Sequence, residues 1–77
     1  MDDIAITRIM PNSLEAEQSV IGSMLMDKQA IISAGEILSA DDFYHRQYGI
    51  MFQAMVDMNN AAKPVDIVTL QEALKEK

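Results

Sequence analysis

The stretch K-P-V-D-I-V-T-L, residues Lys63–Leu70, supports two readings, and the choice between them sets the fold class. Val65, Ile67, Val68 and Thr69 are β-branched, which favours a strand. The apolar–polar alternation is poor, however, and no second run of this kind is available to pair with it. Against the strand stands a helix start. Pro64 precedes Asp66, a strong N-cap residue by type. With Asp66 at the N-cap, Val65 falls at N′ and Leu70 at N4, the positions of a hydrophobic staple. The stretch therefore predicts the entry to a fourth helix, with Ile67, Leu70 and Leu74 as its inner face. That helix meets no Gly or other stop signal before the final E-K, so the expectation is a fragment boundary rather than a finished domain.

Working back from Lys63, N-N-A-A-K-P closes a third helix predicted over about Arg46–Asn60. Tyr48, Met51, Phe52, Met55 and Met58 or Asn59 follow its i, i+3, i+4, i+7 stripe. Before it lies S-A-D-D-F-Y-H, where Ser39 and Asp42 have capping-box spacing and predict a short turn of helix presenting Phe43 and Tyr44. A second helix is predicted over about Lys28–Leu38, capped by Asp27, with Ala30, Ile31, Ala34, Ile37 and Leu38 inward. A first helix is predicted over about Ser13–Met26, started by Pro11 and by Asn12 or Ser13 as cap. Residues 1–10 have no clean period and read as a flexible arm; residues 11–77 read as one helical domain. The fold class is all-α, a small bundle of about four main helices plus a short turn.

The totals narrow the function. At 77 residues, the chain has room for one domain. A domain of this size buries only about 60–65% of its unfolded surface, so its core is thin. The chain has no cysteine, which excludes a disulfide framework and a thiolate site and points to a reducing, cytoplasmic setting. No signal peptide or membrane span is apparent. Net charge is −6, and the six basic residues are scattered rather than striped. That pattern argues against autonomous nucleic-acid binding and suits a basic protein partner. Seven methionines fit core filling or an adaptable partner surface.

Individual residues carry further expectations. Asp41, Asp42 and His45 form a D-D-x-x-H cluster, but metal sites need three or four ligands on well-placed elements, and no other His or Cys exists. Capping and solvated turn residues are the simpler account. Gly22, Gly35 and Gly49 each fall inside a helix, where Gly costs roughly 1 kcal/mol against Ala, and so suggest close helix approach. Ile32 lies opposite the inner face of helix two, and Ile50 and Ala54 on the back of helix three; together they are candidates for a protein interface. Glu17 is the anomaly. On a helical wheel it falls within the apolar arc of Leu14, Val20, Ile21, Met24 and Leu25. It is either a first-turn carboxylate favoured by the helix N-terminus, or a buried and paired one, or a water-facing one on a rotated helix. If it is buried, a partner is required, and Arg46 or a backbone donor of the D-D-F-Y turn is the candidate.

Three blocks then carry a resemblance: P-N-S-L-E-A-E-Q-S-V-I-G from Pro11, I-L-S-A-D-D-F-Y from Ile37, and P-V-D-I-V-T-L from Pro64. In order and spacing the chain resembles, over about residues 11–74, the N-terminal domain of bacterial DnaB-type replicative DNA helicases. Ile21 stands where that family often has Leu. The resemblance implies a helical head of a collar in a hexameric ring, joined in the parent protein to a RecA-like ATPase domain that uses ATP and Mg to unwind DNA 5′→3′. It implies as partners the other ring subunits, the C-terminal domain of primase, and a helicase loader. The chain stops before the family's pairing hairpin and lacks the Walker A loop. The expected fragment is thus non-catalytic and a monomer or weak dimer. It also makes a buried, paired Glu17 near the D-D-F-Y turn the favoured setting. The alternatives are a stand-alone helical DNA-binding regulator and, more remotely, a metal-assisted hydrolase resting on Asp41, Asp42 and His45.

Overall fold

The computed structural model of the chain describes residues 14–76. Its elements are α1 (Leu14–Met26), α2 (Lys28–Ile37), a 3-10 turn (Ala40–Asp42), α3 (Arg46–Asn60) and α4 (Ile67–Lys75). There is no strand among the described residues, and the fold is all-α as expected. The N-terminal arm, Pro11 and the Asn12 or Ser13 cap lie outside the described residues.

The Lys63–Leu70 stretch becomes helix because its start is satisfied locally. Asp66 is extended, and its Oδ1 accepts the N–H groups of Val68 and Thr69, each at 2.9 Å. In return Thr69 Oγ1 accepts the Asp66 N–H at 2.9 Å. These reciprocal bonds satisfy donors that a helix N-terminus otherwise leaves open. Leu70, one residue beyond, is buried to 1% exposure, and Val65 packs against the cluster that contains it. Local capping and one buried leucine outweigh the β-propensity of Ile67, Val68 and Thr69, which is at most about 1 kcal/mol.

A single residue turns α1 into α2. Asp27 is extended, and its side chain accepts the Gln29 N–H at 3.0 Å. So short a link forces the two helices together, and α1 and α2 pack on each other and on α3. α3 is the central element, touching α1, α2, the 3-10 turn and α4, whereas α4 packs chiefly on α3. Val20, Met24, Ala34, Phe52, Met55 and Leu70 are the deepest apolar residues. Phe43 and Phe52 stack with ring centroids 5.2 Å apart. Of the methionines, Met24, Met55 and Met58 fill the core, while Met26 is 90% exposed.

Several inward assignments need correction. Ile37, expected inside, is exposed, because α2 ends there and the chain extends at Leu38, which takes the core position. Ile67 is exposed, because among the described residues α4 lies chiefly on α3 and Leu70 takes that contact. Leu14 is also exposed. The opposite error concerns Ala54. It was expected on the free back of α3, but it is 2% exposed, because α4 covers that flank and brings Ala73 beside it.

α3 ends in an unusual cap. The Lys63 N–H donates to the Met58 carbonyl at 2.9 Å, and the Ala62 N–H to the Asn59 carbonyl at 3.1 Å. This is the Schellman pattern, which favours Gly at the left-handed position. Here Ala62 occupies it, with φ 61°. Left-handed backbone costs an L-residue about 1–2 kcal/mol, of which glycine's extra unfolded-state freedom returns about 0.5–1. Ala62→Gly is therefore expected to stabilise the fold by up to about 1 kcal/mol, or about 4–8 °C in thermal midpoint per kcal/mol. A lower midpoint by circular dichroism would mean that Ala62 is not left-handed in solution.

Candidate interaction site

The segment from Ser39 to His45 is built to turn sharply. The Ser39 N–H donates to Asp42 Oδ2 at 2.8 Å, and the Phe43 N–H to the Ala40 carbonyl at 3.2 Å, which closes the 3-10 turn. Phe43 then drops into the core. The next two residues lead into α3, whose N-cap residue is His45. Histidine is a poor cap, and its side chain makes no capping bond.

Glu17 of α1 binds the two residues that lead into α3. Its side chain has 0% exposure. Oε2 accepts the Tyr44 N–H at 2.7 Å, while Oε1 accepts the His45 N–H at 3.1 Å and lies 3.0 Å from His45 Nδ1. With both oxygens already accepting from the backbone, Nδ1 is the donor of the third bond. A buried carboxylate is tolerable only when its lone pairs are matched by donors, and here three converge on it. The positive end of the α3 dipole adds to this. No buried side-chain polar atom among the described residues is left without a partner.

Of the two candidate partners, the backbone donor of the D-D-F-Y turn is the one found, in the Tyr44 N–H, and Arg46 does not pair with Glu17. Arg46 begins α3, is exposed, and lines a concavity outside this network. The backbone donors at the helix start reach Glu17 directly, so no guanidinium is needed there. The His45 ring was the missed participant. No capping rule points to it, because Glu17 meets Tyr44 and His45 ahead of the helix rather than the N–H groups of its first turn. The D-D-x-x-H cluster is used differently, with Asp42 on Ser39 and His45 on Glu17. Among the described residues no group of three His, Cys, Asp or Glu is placed to hold a metal ion.

Above Glu17 lies a strip of rings. Tyr44 and His45 meet edge to face at 5.2 Å, His45 and Tyr48 at 5.9 Å, and Gln18 Nε2 donates to Tyr48 Oη at 2.9 Å. Tyr44 is 66% exposed. Beside it a concavity of about 500 Å³ opens between the 3-10 turn and α3, lined by Asp41, Tyr44, Arg46, Ile50 and Gln53. Gly49 sits at its base, and a Cβ there would lie 2.7 Å from the Ala40 carbonyl oxygen. Close approach thus explains Gly49, whereas Gly35 meets only ordinary contact and Gly22 nothing within 4 Å. Of the interface candidates, Ile50 is half-exposed and lines this concavity, Ile32 is exposed on α2 away from it, and Ala54 is buried. On this face an exposed Tyr44 and Arg46 thus stand beside the half-exposed Ile50.

Comparison with known proteins agrees with the resemblance. The family model described as DnaB-like helicase N terminal domain matches residues 9–77. A protein named Replicative DNA helicase DnaB from Buchnera aphidicola subsp. Acyrthosiphon pisum (strain APS) is 38% identical over all 77 residues, which is 17% of that protein's length. One of the same name from Geobacillus stearothermophilus is 39% identical over 74 residues, 96% of this chain and 16% of the relative. The Replicative DNA helicase DnaC of Bacillus subtilis (strain 168) is 35% identical over 74 residues, again 96% of this chain and 16% of the relative. The chain thus spans about one sixth of the length of these relatives. No solved structure matches it. With an all-α head whose family model covers nearly its whole length, this chain belongs to the DnaB-like helicase N-terminal domains.

Proposed function

We propose that the chain is the globular head of the N-terminal collar of a hexameric replicative DNA helicase, and that it serves as a non-catalytic docking module. The match over residues 9–77 is the observation that carries this reading. In the parent protein a separate ATPase domain would use ATP and Mg to unwind duplex DNA 5′→3′ in the bacterial cytoplasm. The head would take part in ring assembly with the other subunits and would receive the C-terminal domain of primase or a helicase loader. Nothing in the scattered basic residues equips it to hold DNA by itself. No helix among the described residues is long and apolar enough to cross a membrane.

The concavity at Tyr44, Arg46 and Ile50 is the surface we assign to docking. Its rigidity comes from below, where Glu17 bolts the turn to α1. Titration of the 77-residue chain with a primase C-terminal domain is expected to show binding. Tyr44→Ala and Ile50→Ser are each expected to weaken it about tenfold or more, with unchanged circular dichroism, since both side chains are exposed. Unchanged affinity in both variants removes this surface. No binding by the chain or by the full-length helicase removes the docking role. A steeply salt-dependent affinity for duplex DNA would instead favour a DNA-binding regulator.

A further inference from the structure

A second surface shares no lining residue with the first. Between α3 and α4 runs a groove made of two concavities of about 230 and 270 Å³, which have Met58, Ala73 and Glu76 as common walls. Its floor is apolar: Val68 and Ala73 of α4 line it, over the buried Ala54 and Met58 of α3. Val68 is 62% exposed, so an apolar side chain stands uncovered at the edge. Among the described residues α4 packs chiefly on α3, and Val68, Gln71, Glu72 and Lys75 are exposed. The rim carries the carboxylates of Asp57, Glu72 and Glu76, against Lys63 among the lining residues and Lys75, whose Nζ lies 3.9 Å from Glu72. The whole chain has the same sign, with a net charge of −6.

We propose that this groove binds a basic amphipathic helix of a partner protein. The partner's apolar residues, spaced i, i+3 or i+4, i+7, would lie along Val68 and Ala73, over the buried Ala54 and Met58, with Lys or Arg on its flanks facing Asp57, Glu72 and Glu76. A helix fits better than an extended peptide. The backbone of α3 and α4 is hydrogen-bonded internally, so no open edge exists for a strand to join. The nine residues of α4 make a trough about 13 Å long, room for roughly two and a half turns. The acidic rim would select partners by charge and speed their encounter, while the apolar floor supplies the contact area. The proposal goes beyond the docking role assigned to Tyr44 and Ile50, and either can fail while the other stands.

The test is an NMR titration of amide resonances of the 77-residue chain with a synthetic Leu/Lys amphipathic helical peptide of about 14 residues. A Leu/Glu peptide of the same pattern is run beside it. Shifts are expected to be confined to residues lining the α3–α4 groove, and the Leu/Glu peptide to bind at least about tenfold more weakly. The double variant Val68→Lys, Glu72→Lys, altered at two exposed positions, should weaken the Leu/Lys peptide about tenfold or more, while Tyr44→Ala leaves it unchanged. Equal binding of the two peptides overturns the proposal. So do shifts centred on Tyr44–Ile50, undiminished binding by the double variant, or no binding at all. Peptide binding in the groove together with no primase binding would instead remove the docking function while leaving this surface in place.

Discussion

Glu17→Ala is expected to destabilise the head by about 3–5 kcal/mol, the range seen when one partner of a buried charged network is removed. Three groups lose their acceptor at once: the Tyr44 N–H, the His45 N–H and His45 Nδ1. Each backbone donor left buried and unpaired costs about 1–3 kcal/mol, less whatever water recovers by entering the gap. A domain of 77 residues has only roughly 4–12 kcal/mol to lose. The variant should therefore melt far below the wild type or be partly unfolded at room temperature. Glu17→Gln keeps the shape but turns an amide N–H₂ toward a donor, and should fall between the two. His45→Ala removes one bond and leaves both backbone donors capped, so its cost should be the smallest of the three. Glu15→Ala is the control: Glu15 is exposed in the same turn of α1, and its loss should cost no more than a cap, about 0.5–1 kcal/mol. Thermal and urea midpoints decide the matter. If Glu17→Ala and Glu15→Ala lower the midpoint equally and slightly, the carboxylate does not hold the turn.

Gly49→Ala should also destabilise, by about 1–2 kcal/mol net, even though alanine is the better helix former. The added Cβ would lie 2.7 Å from the Ala40 carbonyl oxygen and 3.7 Å from Phe43 Cβ. That oxygen is backbone, and it is already accepting the Phe43 N–H, so it cannot swing aside as a side chain would. Either α3 or the 3-10 turn must move, and overpacking of this kind costs about 1–3 kcal/mol. Helix propensity returns at most roughly 1 kcal/mol. Gly22→Ala should have the opposite sign, because a Cβ there meets nothing within 4 Å, and the gain should be about 0.5–1 kcal/mol. Moving the turn also disturbs Tyr44 and His45, the donors to Glu17. Gly49→Ala should for that reason weaken partner binding at Tyr44 more than its loss of stability alone predicts. A Gly49→Ala protein as stable as the wild type would show that the turn and α3 are not in close contact in solution.

What could be read locally was read well. Asp27, Asp66 and the Ser39–Asp42 pair were legible as caps because a cap acts over two or three residues, and the chain spells both partners side by side. The choice of helix over strand at Lys63–Leu70 belongs to the same class, since Asp66 and Thr69 settle it between themselves. Errors gathered where a face had to be assigned to a neighbour. Ile37 and Ile67 carry the right period for burial but sit at helix ends that are exposed among the described residues. Ala54 looked free because a wheel for α3 does not know that α4 returns across it.

The sequence by itself determined the helices, the starts of α2 and α4 and the family, through short-range capping bonds, apolar periodicity and three motif blocks in register. It also showed that Glu17 stood out of place, but the wheel could only pose that question. Its partners lie 27 and 28 residues along the chain, and two of the three donors are backbone N–H groups, which every residue but proline carries. Which of them meets a given carboxylate depends on how α1 is laid against the start of α3. That placement, and with it the Tyr44–Ile50 surface held above Glu17, was decided by tertiary packing alone.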